Sequence, residues 1–116
     1  RVSQDTSSQV WSNGGATVTN NKASSTSNII DSSNPVRFYK NSSLKIEYSN
    51  IVKLVIKSKV YSDNNYAEPF ANSITGADVT VDGEVVTIVF SKAVDVVEFA
   101  ALTAQARAYS IEVFTA

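Results

Sequence analysis

Alternation of apolar and polar residues over residues 34–61 limits the fold of this chain more than any other feature. The apolar members recur at every second position, first Leu44, Ile46 and Tyr48 and then Val52, Leu54 and Ile56. Successive side chains of a strand point to opposite faces of a sheet, so this spacing predicts strands with one face in a core. The polar pair Ser49-Asn50 is predicted to turn the chain between them.

Turn signals divide the rest of the chain into short segments with the same pattern. The predicted elements are a hairpin over 10–19, a turn or two of helix over 66–74, and strands over 79–82, 84–90, 93–99 and 105–114. Asp82-Gly83 is typical of a two-residue type I′ hairpin turn. Because eight or nine short strands need two packed sheets to bury their apolar faces, we predict an all-β, antiparallel β-sandwich with a jelly-roll-like arrangement.

The length of the chain, 116 residues, predicts a single domain. Its polar start, residues 1–9, is predicted to be a flexible leader or linker end, and the β-sandwich is predicted to cover residues 10–116. The chain does not begin with Met, and we expect it to be one monomeric domain of a longer polypeptide with neighbouring domains. No stretch approaches the roughly 20 apolar residues that span a membrane, so no membrane insertion is expected.

Histidine and cysteine are absent from the sequence. Their absence excludes serine–histidine triads, histidine general bases, disulfide bonds and almost every zinc site. No two acidic residues are marked by their spacing as the carboxylate pair of a hydrolase, so we predict a protein that is not an enzyme and needs no cofactor. The oxygen-rich loops 31–34 and 63–65 leave a structural Ca²⁺ open, although Asp and Asn in such loops also cap turns.

Charge is unevenly distributed along the chain, although the net charge is only −1. Basic residues dominate residues 37–59, whereas acidic residues outnumber basic ones from Tyr61 onward. Antiparallel pairing of a basic strand with an acidic one would give cross-strand ion pairs, and a basic face for an anionic ligand is the alternative. The small net charge argues against a nucleic acid partner.

Aromatic residues and arginines supply the candidate binding residues. Sugars stack their apolar C–H faces on aromatic rings, and polar side chains bond the sugar hydroxyls. The predicted ligand-binding residues are Trp11, Arg37, Tyr39, Tyr61, Tyr66 and Arg107. A structural role stays open for each residue type: a single Trp commonly plugs a core, a Tyr in a sheet packs at its rim, and an Arg on a strand bridges a carboxylate.

Three segments give the chain a resemblance to a known type of module. They are WSNGGATVTN from Trp11, NPVRFYKNSSLKIEYSNIVKLVI from Asn34 and LTAQARAYSIEV from Leu102. With W-x-x-G-G, N-P-x-R-x-Y and Q-x-R-x-x-S-I in this order, the chain resembles a β-sandwich accessory or adhesive module, similar to carbohydrate-binding modules, of large secreted multi-domain surface proteins of gut bacteria. The resemblance covers residues 10–115 and implies a secreted or cell-surface domain without catalytic residues.

Together these features predict a non-catalytic extracellular glycan-binding module that tethers a bacterial surface protein or enzyme to polysaccharide or host glycan. The alternative is a structural spacer or protein-adhesion domain with no small ligand. Two or more aromatic rings exposed together on one face would favour glycan binding. Buried rings, with the chain termini at opposite ends of the domain, would favour a spacer.

Overall fold

The computed structural model describes residues 1–29 and 33–116. Within these ranges the chain forms nine strands and one short helix: β1 (Ser3–Gln4), β2 (Ser8–Asn13), β3 (Ala16–Asn21), β4 (Val36–Phe38), β5 (Ser43–Lys57), α1 (Glu68–Asn72), β6 (Asp78–Asp82), β7 (Val85–Phe99), β8 (Ala106–Ala108) and β9 (Ser110–Thr115). The strands pair antiparallel, so the predicted all-β, antiparallel fold is confirmed. No helix of the described chain is both long enough and apolar enough to cross a membrane.

Strand β5 is the strand around which the larger sheet is built. This sheet has seven strands in the order β1-β2-β3-β5-β7-β6, and β9 also pairs with β5. One edge of β5 pairs with β7 over both halves of the strand. The other edge pairs first with β3, over residues 43–47, and then with β9, over residues 51–57. The sheet therefore forks near Asn50, where β3 and β9 diverge.

Strands β4 and β8 form a separate two-stranded sheet in which Arg37 lies opposite Arg107. Phe38 and its partner Ala106 are buried, so this ribbon covers the core with one face and carries the two arginines on the other. The two sheets are thus very unequal, with seven strands and two. The jelly-roll arrangement stays a prediction.

Aromatic rings from three elements meet in the core. Phe70 of α1 lies edge-to-face against Phe38 of β4 and against Phe99 of β7, with ring centroids 6.1 and 5.7 Å apart. The predicted helix forms, with a proline in its first turn. Asn65 Oδ1 accepts hydrogen bonds from the backbone N–H groups of Ala67 and Glu68, which would otherwise lack helical partners. The local chemistry of residues 65–70 therefore starts the helix, and Phe70 anchors it.

The chain does not turn at Ser49-Asn50 as predicted, because β5 continues through this pair. Asn50 takes a positive φ of 60°, and the pairing register shifts on either side of Ile51. The irregularity changes which side chains face the core. Ile51 is fully buried and Val52 only partly, which is the reverse of the prediction, and Tyr48, predicted in the core face, is exposed.

Residues 1–9 also differ from the prediction, because they contribute strands to the larger sheet instead of preceding it. Gln9 is fully buried in β2 and lies opposite Asn20 of β3. The Asn20 Nδ2 group donates a hydrogen bond of 2.9 Å to Gln9 Oε1. Two polar side chains are thus buried because each bonds the other across the strands, which the polar composition of residues 1–9 alone does not reveal.

Both predicted hairpins form, one of them with a shifted turn. Gly14 and Gly15 join β2 to β3 with φ values of 59° and 88°, and a type I′ turn requires positive φ at both positions. In the second hairpin Asp82 pairs with Val85, so the turn residues are Gly83-Glu84, one position later than predicted. Gly83 has a φ of 57° at the first turn position, where a type II′ turn favours glycine.

Candidate functional site

Four side chains form a tyrosine–arginine cluster, which consists of Lys59, Tyr61, Tyr66 and Arg107. The two tyrosine rings meet edge-to-face, with centroids 5.9 Å apart. The Arg107 Cζ atom lies 3.9 Å from the centroid of Tyr66 and 6.0 Å from that of Tyr61. Lys59 Nζ lies 5.4 Å from the Tyr61 centroid. The structure therefore brings together three of the predicted binding residues, Tyr61, Tyr66 and Arg107.

Backbone hydrogen bonds hold the cluster in place. The Tyr66 N–H donates to the Lys59 carbonyl at 3.1 Å, and the Arg107 N–H donates to the Tyr66 carbonyl at 3.2 Å. A further bond of 2.7 Å from the Tyr61 N–H to the Asn64 carbonyl closes the turn between the two tyrosines. These bonds connect residues 58–61, which follow β5, to the loop before α1 and to β8. The side chains of the cluster therefore extend from a backbone that is held by hydrogen bonds.

The arginine of the cluster is held through both its backbone and its side chain. The Arg107 carbonyl accepts a 2.6 Å hydrogen bond from Ser58 Oγ, and Arg107 Nε donates one of 2.9 Å to Gln105 Oε1. Arg37 is the strand partner of Arg107 across the β4–β8 ribbon, so a fourth predicted residue lies beside the cluster. The guanidinium of Arg107 is consequently fixed against Tyr66 before any ligand binds.

Exposure within the cluster is graded. Tyr61 is 45% exposed, whereas Tyr66, Lys59 and Arg107 are half-buried. An exposed aromatic ring beside ammonium and guanidinium donors presents an apolar face and several hydrogen-bond donors to the same ligand. This combination suits a molecule with a flat apolar face and peripheral oxygen atoms.

Trp11 lies in a second place, the fork groove, which is the space between the β2–β3 hairpin and β9. The groove has a volume of about 520 Å³, and its lining includes Trp11, Tyr48, Tyr109 and Ile111. The Trp11 ring packs edge-to-face on the buried Phe38, with centroids 6.1 Å apart. Trp11 therefore supports the core on one side and borders the groove on the other. It is not part of the tyrosine–arginine cluster.

Tyr39 is the remaining predicted residue, and it lies just beyond the end of β4. Its carbonyl accepts hydrogen bonds from the Ser42 N–H at 3.1 Å and from Ser42 Oγ at 2.7 Å. Among the ring contacts of the described residues, none joins Tyr39 to the cluster. Lys59 was missing from the predicted set because a lysine in a run of lysines has no local signal that distinguishes it.

The two loops considered for Ca²⁺ have different outcomes. Residues 31 and 32 of the first loop lie outside the described residues. In the second loop, Asn65 Oδ1 is used by the backbone at the start of α1. Over residues 1–29 and 33–116, no group of three or more acidic side chains is arranged to hold a metal ion.

Known proteins offer no further guide to this geometry. No protein-family model, curated protein or solved structure matches the chain. The resemblance to accessory modules of secreted bacterial proteins stays a prediction.

Proposed function

We propose that the protein is a non-catalytic, extracellular glycan-binding module whose ligand rests on the tyrosine–arginine cluster. The observation that carries the proposal is the position of Tyr61, an exposed ring in edge-to-face contact with Tyr66 and within 6.0 Å of the Arg107 guanidinium. A sugar ring has an apolar C–H face that packs on such a ring. Its hydroxyl oxygens accept hydrogen bonds from the neighbouring Lys59 and Arg107.

The rigidity of the cluster supports this function. Tyr61 and Tyr66 are separated by a short turn that is closed by backbone hydrogen bonds, and the guanidinium of Arg107 is already held by Gln105. Little side-chain freedom is lost when a ligand meets a preformed surface, so a small contact area still gives measurable affinity. A single weak site of this kind gains strength when several copies bind one polymer.

The competing role is a spacer or protein-adhesion domain with no small ligand. An end-to-end spacer is expected to bury its aromatic rings and to place its termini at opposite ends. In this fold Tyr61 is exposed, and Arg1 and Val113, near the two ends of the chain, line the same fork groove. The placement of these residues argues against an end-to-end spacer, whereas one exposed ring beside the half-buried Tyr66 meets only half of the expectation of two exposed rings.

A binding comparison of two matched tyrosine variants tests the proposal. The wild-type protein is applied to a glycan array and to insoluble polysaccharides, and Tyr61→Ala is compared with Tyr48→Ala, which removes another exposed tyrosine at the fork groove. We expect saturable binding of the wild type, a loss of about tenfold in affinity for Tyr61→Ala and no loss for Tyr48→Ala.

Two outcomes would contradict this assignment. If Tyr48→Ala abolishes binding while Tyr61→Ala does not, the fork groove is the binding site. If the wild type binds no glycan on the panel, the glycan-binding function itself is wrong, and the spacer or adhesion role becomes the better explanation. Thermal unfolding of both variants establishes that each is folded under the binding conditions.

A further inference from the structure

The two cations of the tyrosine–arginine cluster, Lys59 and Arg107, differ from other basic residues of the chain in their ion pairing. Among the described residues, no carboxylate oxygen forms an ion pair with Lys59 or with Arg107. Other lysines of the same basic stretch do have one: Lys45 Nζ lies 3.7 Å from Glu47, and Lys57 Nζ lies 3.6 Å from Glu112. Unlike Lys45 and Lys57, the two cations beside the exposed Tyr61 therefore form no ion pair within the described residues.

The guanidinium of Arg107 has donors to spare for an anion. Its Nε bonds the neutral Gln105 Oε1, and its plane lies against Tyr66, but within the described chain its terminal Nη groups donate no hydrogen bond. A guanidinium matches a carboxylate or a sulfate with two parallel N–H···O bonds. Because Gln105 and Tyr66 already fix the side chain, these donors need no rearrangement to form such a pair.

The acidic residues near the cluster are used differently. Glu84 Oε2 accepts a 2.8 Å hydrogen bond from the Val60 N–H, so this carboxylate holds the backbone of the segment that carries Lys59 and Tyr61. Asp63 and Glu68 are exposed side chains of the loop and of α1. In the part of the chain that the structure describes, none of these carboxylates forms an ion pair with Lys59 or Arg107. An external anion therefore competes with none of them for an existing contact.

We infer that the glycan bound by the tyrosine–arginine cluster is acidic, with a carboxylate or a sulfate ester on the sugar that lies against Tyr61. This inference rests on the proposed function and specifies its ligand class. Lys59 Nζ and Arg107 Cζ lie 5.4 and 6.0 Å from the centroid of Tyr61, so both charges are within reach of a sugar bound at this ring. Tyr61 supplies the apolar contact, Arg107 the paired donors and Lys59 a second positive charge.

Pairs of polysaccharides that differ only in their acidic groups distinguish the contribution of charge to binding from that of sugar stacking. Polygalacturonate is compared with its carboxyl-reduced form, and dextran sulfate is compared with dextran, by titration calorimetry of the wild-type protein. We expect binding of at least one acidic member that is about 10- to 100-fold tighter than binding of its neutral counterpart. The carboxylate and sulfate pairs show which of the two anionic groups is preferred. Affinity for the acidic member is expected to fall as salt is added.

Matched charge variants then locate the effect. Arg107→Gln and Lys59→Gln are expected to weaken binding of the acidic glycan about tenfold or more, whereas Lys57→Gln, which removes the same charge from a residue paired with Glu112, is expected to leave it unchanged. Arg107→Lys keeps the charge but not the planar fork, and we expect an intermediate loss. Circular dichroism and thermal unfolding confirm that each variant is folded.

The possible failures are distinguishable. If neutral and acidic members of a pair bind equally and Tyr61→Ala weakens both, the glycan-binding function stands and the acidic ligand class is wrong. If Lys57→Gln weakens binding as much as Lys59→Gln, the attraction is a general property of the basic strand and the site assignment is wrong. If no polysaccharide binds, both the inference and the proposed function fail.

Discussion

Lys57 and Lys59 lie in the same basic stretch of chain but have neighbours of different kinds. Lys57, the last residue of β5, lies 3.6 Å from Glu112 of the paired strand β9. Lys59 lies beyond the end of β5, and its Nζ lies 5.4 Å from the centroid of the Tyr61 ring. Lys57 is therefore paired with an acid of the neighbouring strand, whereas Lys59 forms no ion pair in the part of the chain that the structure describes.

The same difference separates the aromatic residues. Trp11 packs on Phe38 and belongs to the layer around the core, whereas Tyr61 and Tyr66 pack on each other and on cations. A ring that contacts the core contributes to stability, and a ring that contacts cations at the surface contributes little. The comparison therefore predicts which substitutions affect folding and which affect binding.

The largest expected effect on stability is that of Trp11→Ala. Because Trp11 is half-buried against Phe38 and borders the fork groove, we expect the free energy of unfolding to fall by about 2–3 kcal/mol. Denaturant unfolding of this variant and of Tyr61→Ala measures the difference. A smaller loss for Trp11→Ala than for Tyr61→Ala would contradict the division into core-supporting and ligand-facing rings.

Ser58 lies between the two lysines and gives the next largest effect. Ser58 is 3% exposed, and its hydroxyl donates a 2.6 Å hydrogen bond to the Arg107 carbonyl. Ser58→Ala leaves that carbonyl without this partner, and we expect a loss of about 1–2 kcal/mol in the free energy of unfolding. The exposed Ser62→Ala serves as a control, with no measurable change expected. Equal stability of the two variants would show that Ser58 does not tie the strand end to β8.

A double-mutant cycle on Tyr66 and Arg107 tests the stacking within the cluster. With the guanidinium 3.9 Å from the ring centroid, Tyr66→Leu and Arg107→Gln are expected to couple by about 0.5–1 kcal/mol in unfolding free energy. The coupling is obtained from denaturant unfolding of the wild type, both single variants and the double variant. Additive effects would mean that the guanidinium and the ring do not stabilise each other in solution.

The smallest effect is expected for the ion pair of Lys57 and Glu112. Both side chains are about half exposed, so Lys57→Gln should cost about 0.5 kcal/mol or less at low salt and nothing at high salt. Because Lys59 forms no ion pair with any described residue, Lys59→Gln should change stability less than Lys57→Gln does. Unfolding measured at two salt concentrations checks both expectations, and a larger loss for Lys59→Gln would reverse the comparison.

Much of the secondary structure could be predicted because it depends on local chemistry. The Gly14-Gly15 turn, the proline at the start of α1 and the strand that ends at Phe99 all follow from short-range signals. Errors occurred where pairing decides the outcome. The irregularity around Asn50 moves Ile51 into the core. Gln9 can be buried because Asn20 of the partner strand β3 donates a hydrogen bond to its side chain. A strand partner distant in sequence leaves no signal in the segment itself.

Residue chemistry suggested six binding residues, and the tertiary structure brings only some of them together. Tyr61, Tyr66, Arg37 and Arg107 were named from the sequence, and the fold places them together because β8 returns beside the loop before α1. Trp11 and Tyr39 are also aromatic, but Trp11 packs on Phe38 at the fork groove, and among the described residues Tyr39 has no ring contact with the cluster. Lys59 is assigned to the site because its Nζ lies 5.4 Å from the centroid of Tyr61.

The all-β fold, the hairpins and the lack of histidine and cysteine chemistry can be read from the amino acids alone, because periodicity and residue types are local properties. Which lysines are paired with acids, and which tyrosines meet an arginine, depends on the three-dimensional fold. Those contacts depend on the fork in the sheet and on the return of β8, both of which join segments far apart in the chain.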